Sequence, residues 1–194
     1  MLETPGWPVA TADARQELAH AVERLRAGGV TILTRRDTPL VEKIETALTN
    51  AMPLTRAINE WEWVWPLNEY HRRDASALSE SMRERLKLAE AMEEGHYEKL
   101  IAERARIRAQ FAELAAVADA AVTLSAPGAA PVGLGWTGDP IFVVSGSLLG
   151  VPTVSLPLME DEGLPLGLQV LGFAQRDADL IATAAAVRDL VGDQ

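Results

Sequence analysis

Three runs in the last third of the chain decide the fold: Ala121-Val-Thr-Leu124, Thr153-Val-Ser-Leu156 and Leu168-Gln-Val-Leu171. Each is short, apolar and β-branched, with Gly, Pro or Ser near its ends, which predicts a strand. The last two read as strands of the buried type. Between the first and second lies a loop rich in glycine and proline, residues 127–140, and then apolar Ile141–Leu149, read as a buried helix. Past the third, Asp177 caps a final helix with Leu180, Ala184, Val187 and Val191 on one face. Glu160-Asp161-Glu162 reads as a solvated turn between strands.

Working back towards the N-terminus, the pattern turns helical. Residues 4–10 form a turn-rich start. A helix is expected from near Asp13, where Asp13 and Gln16 have the form of a capping box. Leu18, Ala21, Val22 and Leu25 make its apolar stripe, and Gly28-Gly29 ends it. Val30–Thr34 reads as a short strand, and Thr38-Pro39 opens a helix through about Asn50. Trp61, Trp63 and Trp65 alternate with Glu62 and Val64. That period of two fits a strand, but the setting between helices favours a helix kinked at Pro66. Ser79 caps a helix to about Glu94, and residues 97–118 carry the clearest helical stripe. Together these elements predict an α/β fold, a mixed β-sheet flanked by helices. One domain over 1–194 is expected, with 1–118 mainly helical and 119–194 forming the strand–helix core of the sheet.

A chain of 194 residues is long enough to bury roughly 70% of its unfolded surface. The net charge of −10 argues against nucleic-acid or anionic-membrane partners, which need basic patches. No cysteine is present, so disulfides and thiolate metal sites are excluded. His20, His71 and His96 are not spaced as a helical metal pair, so no metal site is expected. No apolar run reaches the roughly 20 residues of a membrane span, and no secretion signal is visible, which leaves cytoplasm as the expected location.

Candidate chemistry is thin. No Gly-x-Ser-x-Gly elbow occurs, and Ser145-Gly-Ser147 is the nearest match to an active-site loop. The alternative for that tripeptide is small residues allowing a tight helix–sheet contact. Lys43, Lys87 and Lys99 all sit in charged helical sequence, where a solvated role outweighs that of a catalytic base. The tryptophan cluster suits a core, a pocket or an interface. The glycines of residues 133–138 lack the strand–helix setting of a phosphate loop.

The order of several motifs resembles the C-terminal half of an amidase-signature enzyme. These are Thr137-Gly-Asp-Pro140, Leu149-Gly-Val-Pro152 and Gly163-Leu-Pro-Leu-Gly-Leu-Gln169, followed by the final helix. Thr4-Pro-Gly-Trp-Pro8 before the first helix resembles the family's segment after its catalytic serine. The resemblance implies amide C–N bond hydrolysis by a Ser–Ser–Lys triad, without a cofactor. The glycine- and serine-rich loop that carries those serines is not found in this sequence. The resemblance therefore assigns no catalytic residue here, and it implies a partial chain inactive by itself. It does assign a substrate-pocket wall: Trp136, Thr137, Gly138, Asp139 and Phe142 match the family's loop. The bland alternative is a turn capped by Thr137 and Asp139.

A sheet shared with a missing half would leave edges bare, so association is expected. The expected partner is a second copy or a polypeptide carrying the catalytic half, with a small amide as substrate once assembled. Two other readings stay open. One is a non-catalytic interaction or assembly module derived from the amidase fold. The other is one component of a transamidating complex.

Overall fold

The computed structural model describes residues 1–192. Its helices and strands follow in chain order. They are α1 (Ala12–Ala27), α2 (Pro39–Leu48), α3 (Ala51–Arg73), α4 (Glu80–Glu90), α5 (His96–Ala112), β1 (Ala121–Leu124), α6 (Val144–Leu149), β2 (Thr153–Asp161), β3 (Leu164–Leu171) and α7 (Asp177–Gly192). The chain divides into two compact units. One holds Met1–Ala51 together with the residues from Ile107 onward; the other holds Met52–Arg106.

The first unit is built on a three-stranded sheet in the order β1-β3-β2, with both ladders antiparallel. The α/β class is as expected. β2 and β3 form a hairpin whose two turn residues, Glu162 (φ 51°) and Gly163 (φ 77°), both lie in the left-handed region. That geometry matches the right-handed twist of the flanking strands. β2 runs well past the expected end at Leu156. The register shifts between Leu156 and Met159, and Pro157 sits within that irregularity. A proline that donates no ladder bond is tolerated there because β2 is an edge strand.

One face of the sheet carries the core. Val122 and Leu124 of β1 and Leu166, Leu168 and Val170 of β3 pack with Ala14, Leu18, Ala21 and Leu25 of α1. Leu180, Val187 and Val191 of α7 close the same cluster. The stripes read from the sequence for α1 and α7 are the faces that are buried. Each large side chain so buried contributes about 1.5–3 kcal/mol.

Two expectations about the N-terminal region need correction. The cap of α1 is Thr11, not Asp13: Thr11 Oγ1 accepts from the Ala14 amide at 3.0 Å. Asp13 lies inside the first turn, where its charge favours the positive end of the helix dipole. Val30–Thr34 is not a strand. The Leu2 amide bonds to Val122 O at 3.0 Å on the outer side of β1, and Leu33 O receives the Met1 amine at 2.7 Å. The N-terminal residues thus take bonds that a strand would have needed. The Thr38 cap is as expected, its Oγ1 accepting from the Leu40 amide at 3.3 Å.

The second unit is helical. Residue Trp65 interrupts α3 with φ −101° and ψ 125°, just before Pro66. Proline crowds the backbone of the residue before it out of the helical region. The kinked helix is therefore the correct reading of the tryptophan segment. Ser79 caps α4 as expected, its Oγ accepting from the Met82 amide at 3.4 Å. The helix ends at Glu90, short of the expected Glu94.

Candidate functional site

Beside the 127–140 loop lies a cleft of about 610 Å³. Its wall includes Ser125, Trp136–Pro140, Val143, Asp161 and Gly167. Three backbone and side-chain arrangements shape it.

The first is a clasp at the rim. Asp161 is 3% exposed, and its Oδ2 accepts from Thr11 Oγ1 at 3.1 Å and from the Ala129 amide at 2.8 Å. Asp161 is therefore not part of a solvated turn, which corrects the reading of Glu160–Glu162. The turn itself begins one residue later, at Glu162. Gly128 lies against this clasp, where a Cβ would stand 2.4 Å from Asp161 Oδ2. The carboxylate ties the start of α1, the loop after β1 and the end of β2 together.

The second is a hydroxyl bridge. Ser125 Oγ and Ser155 Oγ lie 2.7 Å apart, spanning β3 above Gly167. Only glycine leaves room for it, since a Cβ at Gly167 would sit 2.2 Å from Ser155 Oγ. Among the described residues no His, Lys or Arg lines the cleft; its titratable side chains are the carboxylates of Asp139, Asp161 and Glu162.

The third is the entry into α6. Asp139 Oδ1 accepts from the Ile141 amide at 3.0 Å, an Asx turn that leads the loop into the helix. Gln169 is buried, and its Nε2 donates to Leu124 O at 3.1 Å and Phe142 O at 3.3 Å. One amide group thereby joins β3, β1 and the segment before α6. Gly146 packs tightly on β2, as a Cβ there would lie 2.6 Å from Thr153 Cγ2. Ser145 beside it is fully buried, so it reaches no substrate. Within Ser145-Gly-Ser147 it is Gly146 that makes the helix–sheet contact, and Ser147 is exposed.

Of the pocket-wall residues read from the sequence, Trp136, Thr137, Gly138 and Asp139 line the cleft. Trp136 is 62% exposed. Phe142 lies elsewhere: it is 0% exposed in the core, with its ring so close to Gly6 that a Cβ there would stand 2.5 Å away. Asp161, Ser125, Ser155 and Gln169 escape a reading of the sequence as site residues. No local pattern marks them, because their partners lie far away in sequence: 32 to 150 residues for Asp161, 30 for the serine pair and 27 to 45 for Gln169. Among the described residues no three His, Asp or Glu side chains cluster to hold a metal ion. Among the described residues, no helix is long and apolar enough to cross a membrane.

Comparisons with known proteins agree on one relationship. No family model matches the sequence. Over 53 residues the chain is 49% identical to a fatty acid amide hydrolase of Medicago truncatula, a match covering 27% of this chain and 9% of that protein. Over 110 residues it is 36% identical to the A component of the glutamyl-tRNA(Gln) amidotransferase of Dinoroseobacter shibae, covering 51% of this chain and 22% of the relative. Among solved structures, an amidase superposes with a TM-score of 0.74 at 25% identity, covering 95% of this chain and 43% of its own. A bacterial aryl acylamidase of the amidase signature family superposes with a TM-score of 0.59 at 14% identity, which is a likeness of fold. The chain spans only 9% and 22% of those two curated relatives, and 42–43% of those two solved chains.

Proposed function

We propose a function from one premise: the chain is a part-length relative of the amidase-signature enzymes, similar to them in sequence and in fold. Its role is to supply part of the sheet and one wall of the substrate cleft to an amide-hydrolysing assembly. By itself it turns over no amide. The observation that carries this reading is the cleft beside Trp136–Asp139, which offers a wall but, among the described residues, no lysine or histidine to act as base. Amide hydrolysis needs an activated nucleophile and a group that stabilises the oxyanion. Here the hydroxyls of Ser125 and Ser155 are bonded to each other. The nucleophile and base then come from residues outside these 194, either on a partner polypeptide or on a second stretch of a longer protein. The assembly acts on a small amide in the cytoplasm.

The test is the native mass and composition of the complex isolated from source cells, with amide turnover assayed before and after its dissociation. Co-purification with a polypeptide bearing a Ser–Ser–Lys segment, with activity only in the complex, supports the proposal. Amide turnover by the purified chain, abolished by a substitution within residues 136–147, overturns it.

A second reading is favoured by the 110-residue match to an amidotransferase component. Under it, the assembly transfers ammonia from glutamine to an acyl acceptor. Glutamine-dependent activity and a ligase-type partner in the complex are its marks.

A further inference from the structure

The Ser125 and Ser155 hydroxyls meet above Gly167, their Oγ atoms 2.7 Å apart. Ser125 and Gly167 line the cleft of about 610 Å³, and Ser155 is exposed. Each hydroxyl carries one proton, and the bond between them uses one of the two. Neither Oγ has another hydrogen-bond partner among the described residues, so one O–H is left to donate. It belongs to the hydroxyl that accepts, and accepting a bond strengthens it as a donor. Both serines sit on fixed backbone: the Ser125 amide donates to Gly167 O at 2.9 Å, and Ser155 pairs with Gln169 in the β2–β3 ladder. Ala126, Pro131, Pro140, Val143 and Leu166 give the same cleft an apolar lining.

On the reading of this cleft as one wall of a substrate site, we propose that the Ser125–Ser155 pair holds the carbonyl oxygen of an uncharged amide with an apolar acyl group. An amide oxygen takes the free proton and brings no charge to a wall whose titratable groups are Asp139, Asp161 and Glu162. A free carboxylate is the stronger acceptor, but it meets like charges there. Among the described residues no lysine, arginine or histidine lines the cleft to offset them. The apolar lining favours an acyl group that leaves water on binding.

The experiment titrates the whole chain at neutral pH with benzamide and, in parallel, with thiobenzamide and benzoate. The indole N–H resonance of Trp136 and the amide resonance of Gly167 report binding. Benzamide is expected to shift both saturably. Thiobenzamide, whose sulfur is the weaker acceptor, is expected to bind about threefold more weakly, and benzoate at least about fivefold more weakly. Ser125→Ala combined with Ser155→Ala is expected to weaken benzamide about tenfold. Trp65→Ala, in the other unit, is expected to change nothing. Benzoate binding as tightly as benzamide overturns the proposal, as does the absence of saturation with benzamide. So does a folded double variant that binds benzamide as tightly as the parent. The three ligands are compared on the unaltered chain, which needs no variant to fold. No turnover is measured, so the outcome is separate from the test of the assembly. An assembly that hydrolyses amides while this chain ignores benzamide sinks the serine site alone.

Discussion

Thr11 Oγ1 donates to Asp161 Oδ2 at 3.1 Å, joining residues 150 positions apart. The same hydroxyl oxygen caps α1, and the same carboxylate holds the Ala129 amide. One buried charge therefore fixes a helix start, a loop and the end of an edge strand.

Removing that charge tests the clasp. Asp161→Ala leaves the Ala129 amide without its partner and is expected to cost about 2–3 kcal/mol, as for a buried hydrogen bond to a charged group. Asp161→Asn keeps an acceptor and is expected to lose about 1 kcal/mol. Denaturant midpoints measured on both variants check the order. Equal stability of Asp161→Ala and the parent would show that the clasp contributes nothing.

Gly167 is the second test. Its replacement by alanine drives a methyl group to 2.2 Å from Ser155 Oγ and 2.6 Å from Ser125 Oγ. The expected loss is about 1–3 kcal/mol, the range for overpacking. Adding Ser155→Ala, which removes the nearest obstacle, is expected to recover part of it. Thermal melts of the single and double variants measure both steps, and an additive double variant rejects the steric account.

The third concerns pH. Burial lowers the pKa of the Met1 amine from 8.0 to about 6. The folded chain then holds this proton less tightly than the unfolded one, so stability falls as pH drops from 8 to 6. At its steepest the loss approaches about 1.4 kcal/mol per pH unit. Denaturation of a chain with a free Met1 amine, at pH 6, 7 and 8, measures the slope. A flat profile across that window refutes it.

What the sequence discloses and what it conceals follow from range. The α7 stripe of Leu180, Ala184, Val187 and Val191 is legible because a helix repeats its buried face locally. The Thr38 cap and the break before Pro66 are equally local. Trp136–Asp139 are found through motif order and do border the cleft. Phe142 joins them by adjacency, yet its ring turns into the core against Gly6. Val30–Thr34 has strand composition, but no ladder is open to it, since Leu2 occupies that side of β1. Asp161 reads as solvated beside Glu160 and Glu162, because a run of acids conceals which member faces inward.

The clasp also sets a timetable for biosynthesis. α1 leaves the ribosome well before its partners β2 and β3 have been made. At about 5–20 residues per second, the gap between Thr11 and Asp161 takes roughly 8–30 s to translate. Throughout that interval Leu18, Ala21 and Leu25 have no sheet to cover them. The apolar stripe of α1 thus waits in the nascent chain for a cover that comes only when the β2–β3 hairpin has been made.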